Sequence, residues 1–145
     1  MKNSNCWNSK KTTPMRSYLF LFALLLLLVQ VNSANAAIYY SRQNGDWNNT
    51  ATWSTVGIGG APATVVPGAS DEVRIAGNHT VFMVRNHSCI RLDLGLSGSF
   101  PGFLEFQTAG RSYTLTVNGN VNLGTGSSIR YNSISTGRYV MQVAG

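Results

Sequence analysis

From Asp71 to the end of the chain no stretch keeps a helical apolar period, and this constrains the fold more than anything else in the sequence. In place of helices stand short runs of Val, Leu, Ile, Phe and Thr, each closed within a few residues by Gly, Asn, Ser or Pro. Arg111 to Tyr131, RSYTLTVNGNVNLGTGSSIRY, shows the pattern most cleanly. A strand at Tyr113 to Val117 meets a corner at Asn118-Gly119-Asn120, a second strand follows at Val121 to Leu123, and a Gly/Ser turn leads to a third at Ser128 to Tyr131. Further strands are predicted at Val73 to Ile75, Thr80 to Val84, Cys89 to Leu94, Phe103 to Phe106 and Arg138 to Val143. Residues 71–145 are therefore read as all-β.

An antiparallel sandwich and a parallel β-solenoid both fit short strands with close turns. Spacing favours the second. A Gly-Asn corner followed by a strand occurs at Gly77-Asn78 and again at Gly119-Asn120, about 42 residues on, which suits two coils of roughly 21. The runs near Cys89, Tyr113 and Tyr139 are about 24 to 26 apart. The expected fold is thus a right-handed parallel β-helix over residues 71–145. A single coil would bury about six apolar side chains at about 1.5 to 3 kcal/mol each. Ordering its ~20 residues costs about 1 to 2 kcal/mol apiece, so a lone coil cannot stand. The chain stops at Val143-Ala144-Gly145 straight after a strand, and the solenoid is expected to be an incomplete portion of a longer one.

Residues 37–70 read as a cap on the open end of the first coil. Tyr39, Tyr40, Trp47 and Trp53 supply apolar area, while Asn44-Gly45-Asp46 and Asn48-Asn49-Thr50 supply turns. The same four aromatic residues are the candidates for stacking against sugar rings. Gly57 to Ser70, with two Pro and closely spaced Gly, is a loop. It lacks the Lys and Ser/Thr of a phosphate-binding loop.

Residues 1–36 carry the marks of a secretory signal peptide. Lys2, Lys10, Lys11 and Arg16 form a positive start, Leu19 to Val29 is unbroken apolar sequence, and Ala34-Asn35-Ala36 offers a cleavage site. Eleven apolar residues are too few for a membrane span, which needs about 20. Without the leader, the formal charge of +6 falls to +2, from seven Arg against five acidic residues. Those Arg are spread singly, so nucleic acid is not an expected partner. Cys89 is the one cysteine beyond the leader, which leaves no internal disulfide and no disulfide-linked partner.

A search for chemistry finds no constellation. The acidic residues after the leader are Asp46, Asp71, Glu72, Asp93 and Glu105. Asp93 and Glu105 stand on neighbouring runs and could share a face as an acid/base pair, with solvated outward positions as the simpler reading. Asp71-Glu72 follows a Pro-Gly turn and is expected to anchor the entry to the first strand. His79 and His87 lack companions at metal-ligand spacing. Ser54, Ser70 and Ser97 have no nucleophile-elbow context. Asn48, Asn78 and Asn86 lie in glycosylation sequons, read here as turn residues. No catalytic residue, metal or cofactor is expected.

The order of several motifs is familiar. Tyr39-Tyr40-Ser41, Gly45-Asp46-Trp47, Thr52-Trp53-Ser54, Pro67-Gly68, Asp71-x-Val73-x-Ile75, Gly77-Asn78-x-Thr80-Val81, Cys89-Ile90-x-Leu92, Gly102-Phe103-Leu104-x-Phe106 and Leu115-x-Val117-x-Gly119-Asn120 run from about residue 39 to 131. Together they resemble the start of large bacterial secreted surface proteins, adhesin-like parallel β-helix proteins of the type IX secretion kind, and distantly the eight-glycine extracellular domain. The resemblance implies a bacterial protein that is secreted or held at the cell surface and does not remain in the membrane after signal cleavage. It implies a non-enzymatic, adhesin-like role toward an extracellular polysaccharide or a host or cell-surface ligand. Later repeats and a sorting domain are not in this sequence, so surface attachment is not carried over. The alternatives are a polysaccharide-binding protein and a polysaccharide-degrading, pectin-lyase-like one.

Overall fold

A computed structural model of the chain describes residues 36–95, 100–107, 111–132 and 137–144. The expected leader, with Ala34 of its cleavage site, lies outside these residues, as do parts of three connections at 96–99, 108–110 and 133–136. Ala36 is described and exposed. Among the described residues, twelve strands and one short 3-10 turn, Thr50–Thr52, follow in order. The strands are β1 Ile38–Ser41, β2 Gly45–Asp46, β3 Trp53–Ser54, β4 Glu72–Ile75, β5 Thr80–Met83, β6 His87–Cys89, β7 Arg91–Leu94, β8 Phe103–Phe106, β9 Tyr113–Val117, β10 Val121–Leu123, β11 Ser128–Tyr131 and β12 Tyr139–Val143.

These strands form three sheets, ordered β10-β7-β4-β1-β3, β11-β8-β5-β2 and β12-β9-β6. From β4 onward the chain visits the sheets in rotation, and apart from β6, which begins the third sheet, each strand pairs in parallel with the one three places earlier. The alternating sequence explains which side chains meet. Successive residues of a strand point to opposite faces, so a strand such as Glu72-Val73-Arg74-Ile75 buries Val73 and Ile75 and turns Glu72 and Arg74 outward. Parallel register then lines the inward residues into columns across the layers. Tyr39, Val73, Leu92 and Val121 form one, and Val81, Leu104 and Ile129 another. Val73, Ile75, Val81, Met83, Leu92, Leu94, Leu104, Leu115 and Val117 are all fully buried. This is the core, and it lies between the inner faces of the sheets.

The right-handed parallel β-helix expected from spacing is corrected here. The strands fall into three separate sheets, and the first is mixed, because β3 pairs antiparallel with β1 through Tyr40↔Ser54 and Ser41↔Trp53. The connection from β1 to β3 turns back within its own layer, which an antiparallel pair permits. No signal helix is seen among the described residues. The two Gly-Asn corners are not equivalent either. Gly77-Asn78 leads into β5 of the second sheet, whereas Gly119-Asn120 leads into β10 of the first. They differ in backbone too: Gly77 and Asn78 both take positive φ, whereas at Gly119 the φ is ordinary and a Cβ would instead overlap the Ile90 carbonyl oxygen. Within residues 37–70, β1 and β2 are hydrogen-bonded members of the sheets, paired with β4 and β5. Asp71 anchors this join as expected, accepting the backbone N–H of Ala37 and of Gly68 at 3.0 and 2.8 Å.

At the corners, layers approach closely enough to exclude a side chain. A Cβ at Gly102 would overlap the Ile75 carbonyl of the preceding layer, and both groups are backbone that cannot step aside. Gly102→Ala is therefore expected to destabilise the protein by about 1 to 3 kcal/mol in urea unfolding followed by tryptophan fluorescence. An unchanged midpoint would show that this approach is not required.

Candidate functional site

The four aromatic residues singled out for sugar stacking do not form an open platform. Trp47 and Trp53 are both 0 % exposed and meet edge to face, with ring centroids 5.2 Å apart at 70°. Trp53 Nε1 donates to the Trp47 carbonyl at 2.7 Å, and Trp47 Nε1 donates to the Pro67 carbonyl at 3.3 Å, which ties the Gly/Pro loop to the core. The imidazole of His87 stacks on Trp47 at 5.1 Å and 20°. Tyr39 points inward and is buried; its phenol is pushed up by burial and, to a lesser extent, by the charge of Asp71. Tyr40 alternates to the outer face, half-buried, with the Arg74 guanidinium 5.6 Å from its ring centroid. A sugar ring therefore has no access to either indole. Both are spent on the core, where each aromatic side chain contributes a large buried area.

The densest polar cluster lies on the outer face of the first sheet, where register brings Tyr40, Arg74, Asp93 and Asn122 side by side across β1, β4, β7 and β10. Asp93 sits at its centre and is almost fully buried. Its Oδ1 accepts from Arg91 Nε at 2.9 Å and from Asn122 Nδ2 at 2.7 Å. Arg74 Nε stands 3.6 Å from Oδ2, close enough for Coulomb attraction but too long for a hydrogen bond, and this nitrogen has no other partner. Arg74 Nη2 donates to Glu72 at 3.3 Å. Arg91 is held protonated most strongly by its hydrogen bond to Asp93, then by the charge of Asp93.

A second ladder crosses the outer face of the second sheet through Asp46, Phe82, Glu105 and Arg130. Arg130 Nε donates to Glu105 at 3.0 Å and its guanidinium lies 4.9 Å from the Phe103 ring centroid. Asp93 and Glu105, the one carboxylate pair suggested by the sequence, are thus on different sheets, each engaged with its own arginine. The alternation Glu72-x-Arg74 and Arg91-x-Asp93 already signals a charged outward face. Which charge lies opposite which depends on the register between β4 and β7, which the sequence does not display.

The remaining candidates serve the fold. Ser41 is fully buried; its Oγ accepts the Ala76 N–H at 3.0 Å and lies 3.1 Å from His79 Nδ1, fixing the bend after β4. Burial pushes the His79 imidazole down, partly offset by its bond to Ser41. The His87 imidazole is lowered to about 4, first by burial and then by the charge of Arg85, and its Nε2 is buried without a hydrogen-bond partner. The Cys89 thiol is pushed up to about 12 by burial, so it stays a thiol at neutral pH and packs as a small apolar group. Ser54 is buried and its Oγ accepts the Val56 N–H at 3.2 Å, Ser70 is exposed, and Ser97 lies outside the described residues. Among the sequon residues, Asn86 caps β9 by accepting the Thr114 N–H at 2.9 Å. Among the described residues no three His, Cys, Asp or Glu side chains are grouped to hold a metal ion.

No protein-family model matches the chain, and neither a curated protein nor a solved structure does. The resemblance to adhesin-like secreted proteins rests on the motifs quoted for it.

Two expectations follow from this geometry. Asp93→Ala leaves two arginines and an amide facing an emptied site, and is expected to cost about 1.5 to 3 kcal/mol of unfolding free energy, the range for hydrogen bonds to charged groups. A loss of only a few tenths would mean the ladder behaves as a solvated surface pair. For His87, the unfolded chain binds a proton near pH 6.5 and the folded chain only near 4. Stability is therefore full above about 6.5 and declines as pH falls toward 4. In His87→Phe, which keeps an aromatic ring on Trp47, denaturant midpoints measured across that window should fall less steeply than in the parent chain.

Proposed function

We propose that this chain is an exported, non-enzymatic, adhesin-like scaffold of the bacterial surface or extracellular space, presenting rigid layered sheets toward an extracellular polysaccharide or cell-surface ligand. The observation that supports this reading best is the use made of its charged side chains. Glu72, Arg74, Arg91 and Asp93 are bound to one another across the outer face of the first sheet, and Glu105 and Arg130 across that of the second. Groups that neutralise each other between layers act as ties, holding flat outer surfaces in place. The leader sequence and the motif resemblance support export.

Polysaccharide binding is favoured as a second reading by one feature. Phe82 and Phe103, half-buried on the outer face of the second sheet, adjoin Arg130 and Glu105, an arrangement of ring faces and polar groups suited to sugar contact.

Expression of the full chain in a Gram-negative host tests the proposal. The expected product is recovered outside the cytoplasm with Ala37 at its N-terminus by Edman or mass-spectrometric sequencing, and releases no sugar or unsaturated product from acidic polysaccharides. Retention in the cytoplasm with the leader intact, or reproducible polysaccharide turnover, overturns it. Glycan-array binding that disappears in Phe103→Ala would select the second reading.

A further inference from the structure

Ala37, just before β1, is tied down on both sides. It is half-buried and packed against the core, whereas Ala36 before it is exposed. The Ala37 carbonyl accepts the Glu72 N–H at 2.9 Å, and Ile38 lies opposite Glu72 as β1 pairs with β4. The Ala37 nitrogen donates to Asp71 Oδ1 at 3.0 Å. The other oxygen of that carboxylate accepts the Gly68 N–H at 2.8 Å, which holds the side chain in place behind the Pro67-Gly68 turn.

Asp71 differs from the acidic residues of the sheets that follow. Glu72, Asp93 and Glu105 each stand against an arginine, whereas among the described residues no cationic side chain pairs with Asp71. Its partners are two backbone N–H groups, and in the intact chain both are neutral. Hydrolysis of the bond between Ala36 and Ala37 changes one of them. One water is consumed, its hydroxyl goes to the Ala36 carbonyl carbon, and the nitrogen of Ala37 leaves as an amine that takes up a proton. The carbonyl of Ala37, its side chain and β1 keep their ties, so a cation then stands at hydrogen-bond distance from the carboxylate. Charge-assisted bonds of this kind are about twice as strong as neutral ones.

We propose that Asp71 is the receiving site for the α-ammonium group created when the leader is cut before Ala37, so that processing locks β1 onto β4. The cut rests on the export reading; the ion pair rests on the geometry at Ala37. Position matters, because an N-terminus at Ala36 lies one residue, about 3.8 Å, further along the chain. The effect also has a pH signature. The other titratable groups on the elements packed here are the Tyr39 phenol, on which the charge of Asp71 acts, and Glu72, Arg74 and Arg91, which are engaged on the outer face of the first sheet. An α-amino group ordinarily titrates at about 7.7 to 8.0. A carboxylate partner raises that value in the folded chain, so the added stability is full below about 7.7 and is lost as pH rises through the raised value.

Two versions of the full chain, with a site-specific protease sequence placed ahead of the cut, are cleaved in vitro to begin at Ala37 or at Ala36. The products have the same formal charge and differ by one alanine. Urea unfolding is followed by tryptophan fluorescence. The expected result is an unfolding constant about fivefold smaller for the Ala37 product at about pH 7, with the advantage gone by about pH 10. Asp71→Asn, made in both versions, should remove the difference between them. Residues 37–145 contain no lysine, so acetylation of the Ala37 product is confined to its α-amine and should give the same loss with Asp71 intact. Equal stability of the two products overturns the proposal, as does an advantage that survives Asp71→Asn, acetylation or high pH. None of these outcomes depends on whether a host cell exports the chain, which sequencing of the secreted product tests separately.

Discussion

In a parallel ladder each strand finds its hydrogen-bond partner in a part of the chain that has already passed through the other two sheets. β7 must meet β4, and β10 must meet β7, before either has a stable edge to lie on. Each layer is thus ordered against the one before it, and the backbone donors of a layer are satisfied only when its neighbour is in place. The columns of inward Val, Leu, Ile and Met depend on that register, because a shift by one residue would turn Val73 and Ile75 outward and bring Glu72 and Arg74 into the core.

Register also explains why the polar residues stand where they do. Asp93 is almost buried, and a lone carboxylate there would be costly to desolvate. It is tolerated because parallel pairing sets Arg74 and Asn122 on either side of it, while Arg91 reaches it along its own strand. The same ladder would oppose a slipped strand, which would leave the carboxylate facing apolar neighbours. Charge here acts on specificity of alignment, as the apolar columns act on the cohesion of the layers.

The two ends of the molecule differ in how they treat an exposed layer. At the first, aromatic bulk and an antiparallel return close the sheets. At the last, apolar side chains that continue the core remain at the surface beside arginines.

Much of the local structure was legible in the sequence. The runs around Val73, Val81, Leu104, Leu115 and Ile129 are all strands, and the Asn and Gly corners between them are real bends, because period-two alternation and turn chemistry are properties of neighbouring residues. Burial of Trp47 and Trp53 was also foreseeable, since a short β domain has few other large apolar side chains to use. The stacking of Trp47 on His87, and the edge-to-face meeting of the two indoles, were not. Nor was the arrangement into three sheets with an antiparallel edge, for the two Gly-Asn corners look alike and yet belong to different turns of the chain. The candidate pair Asp93 and Glu105 fails for the same reason: closeness in sequence says nothing about which sheet a strand joins. The sequence by itself determined strands, corners and the faces that are apolar. Only the tertiary structure decided which strand lies on which, because pairing energy depends on register between segments far apart in the chain, and that register brings Arg74, Asp93 and Asn122 into one cluster.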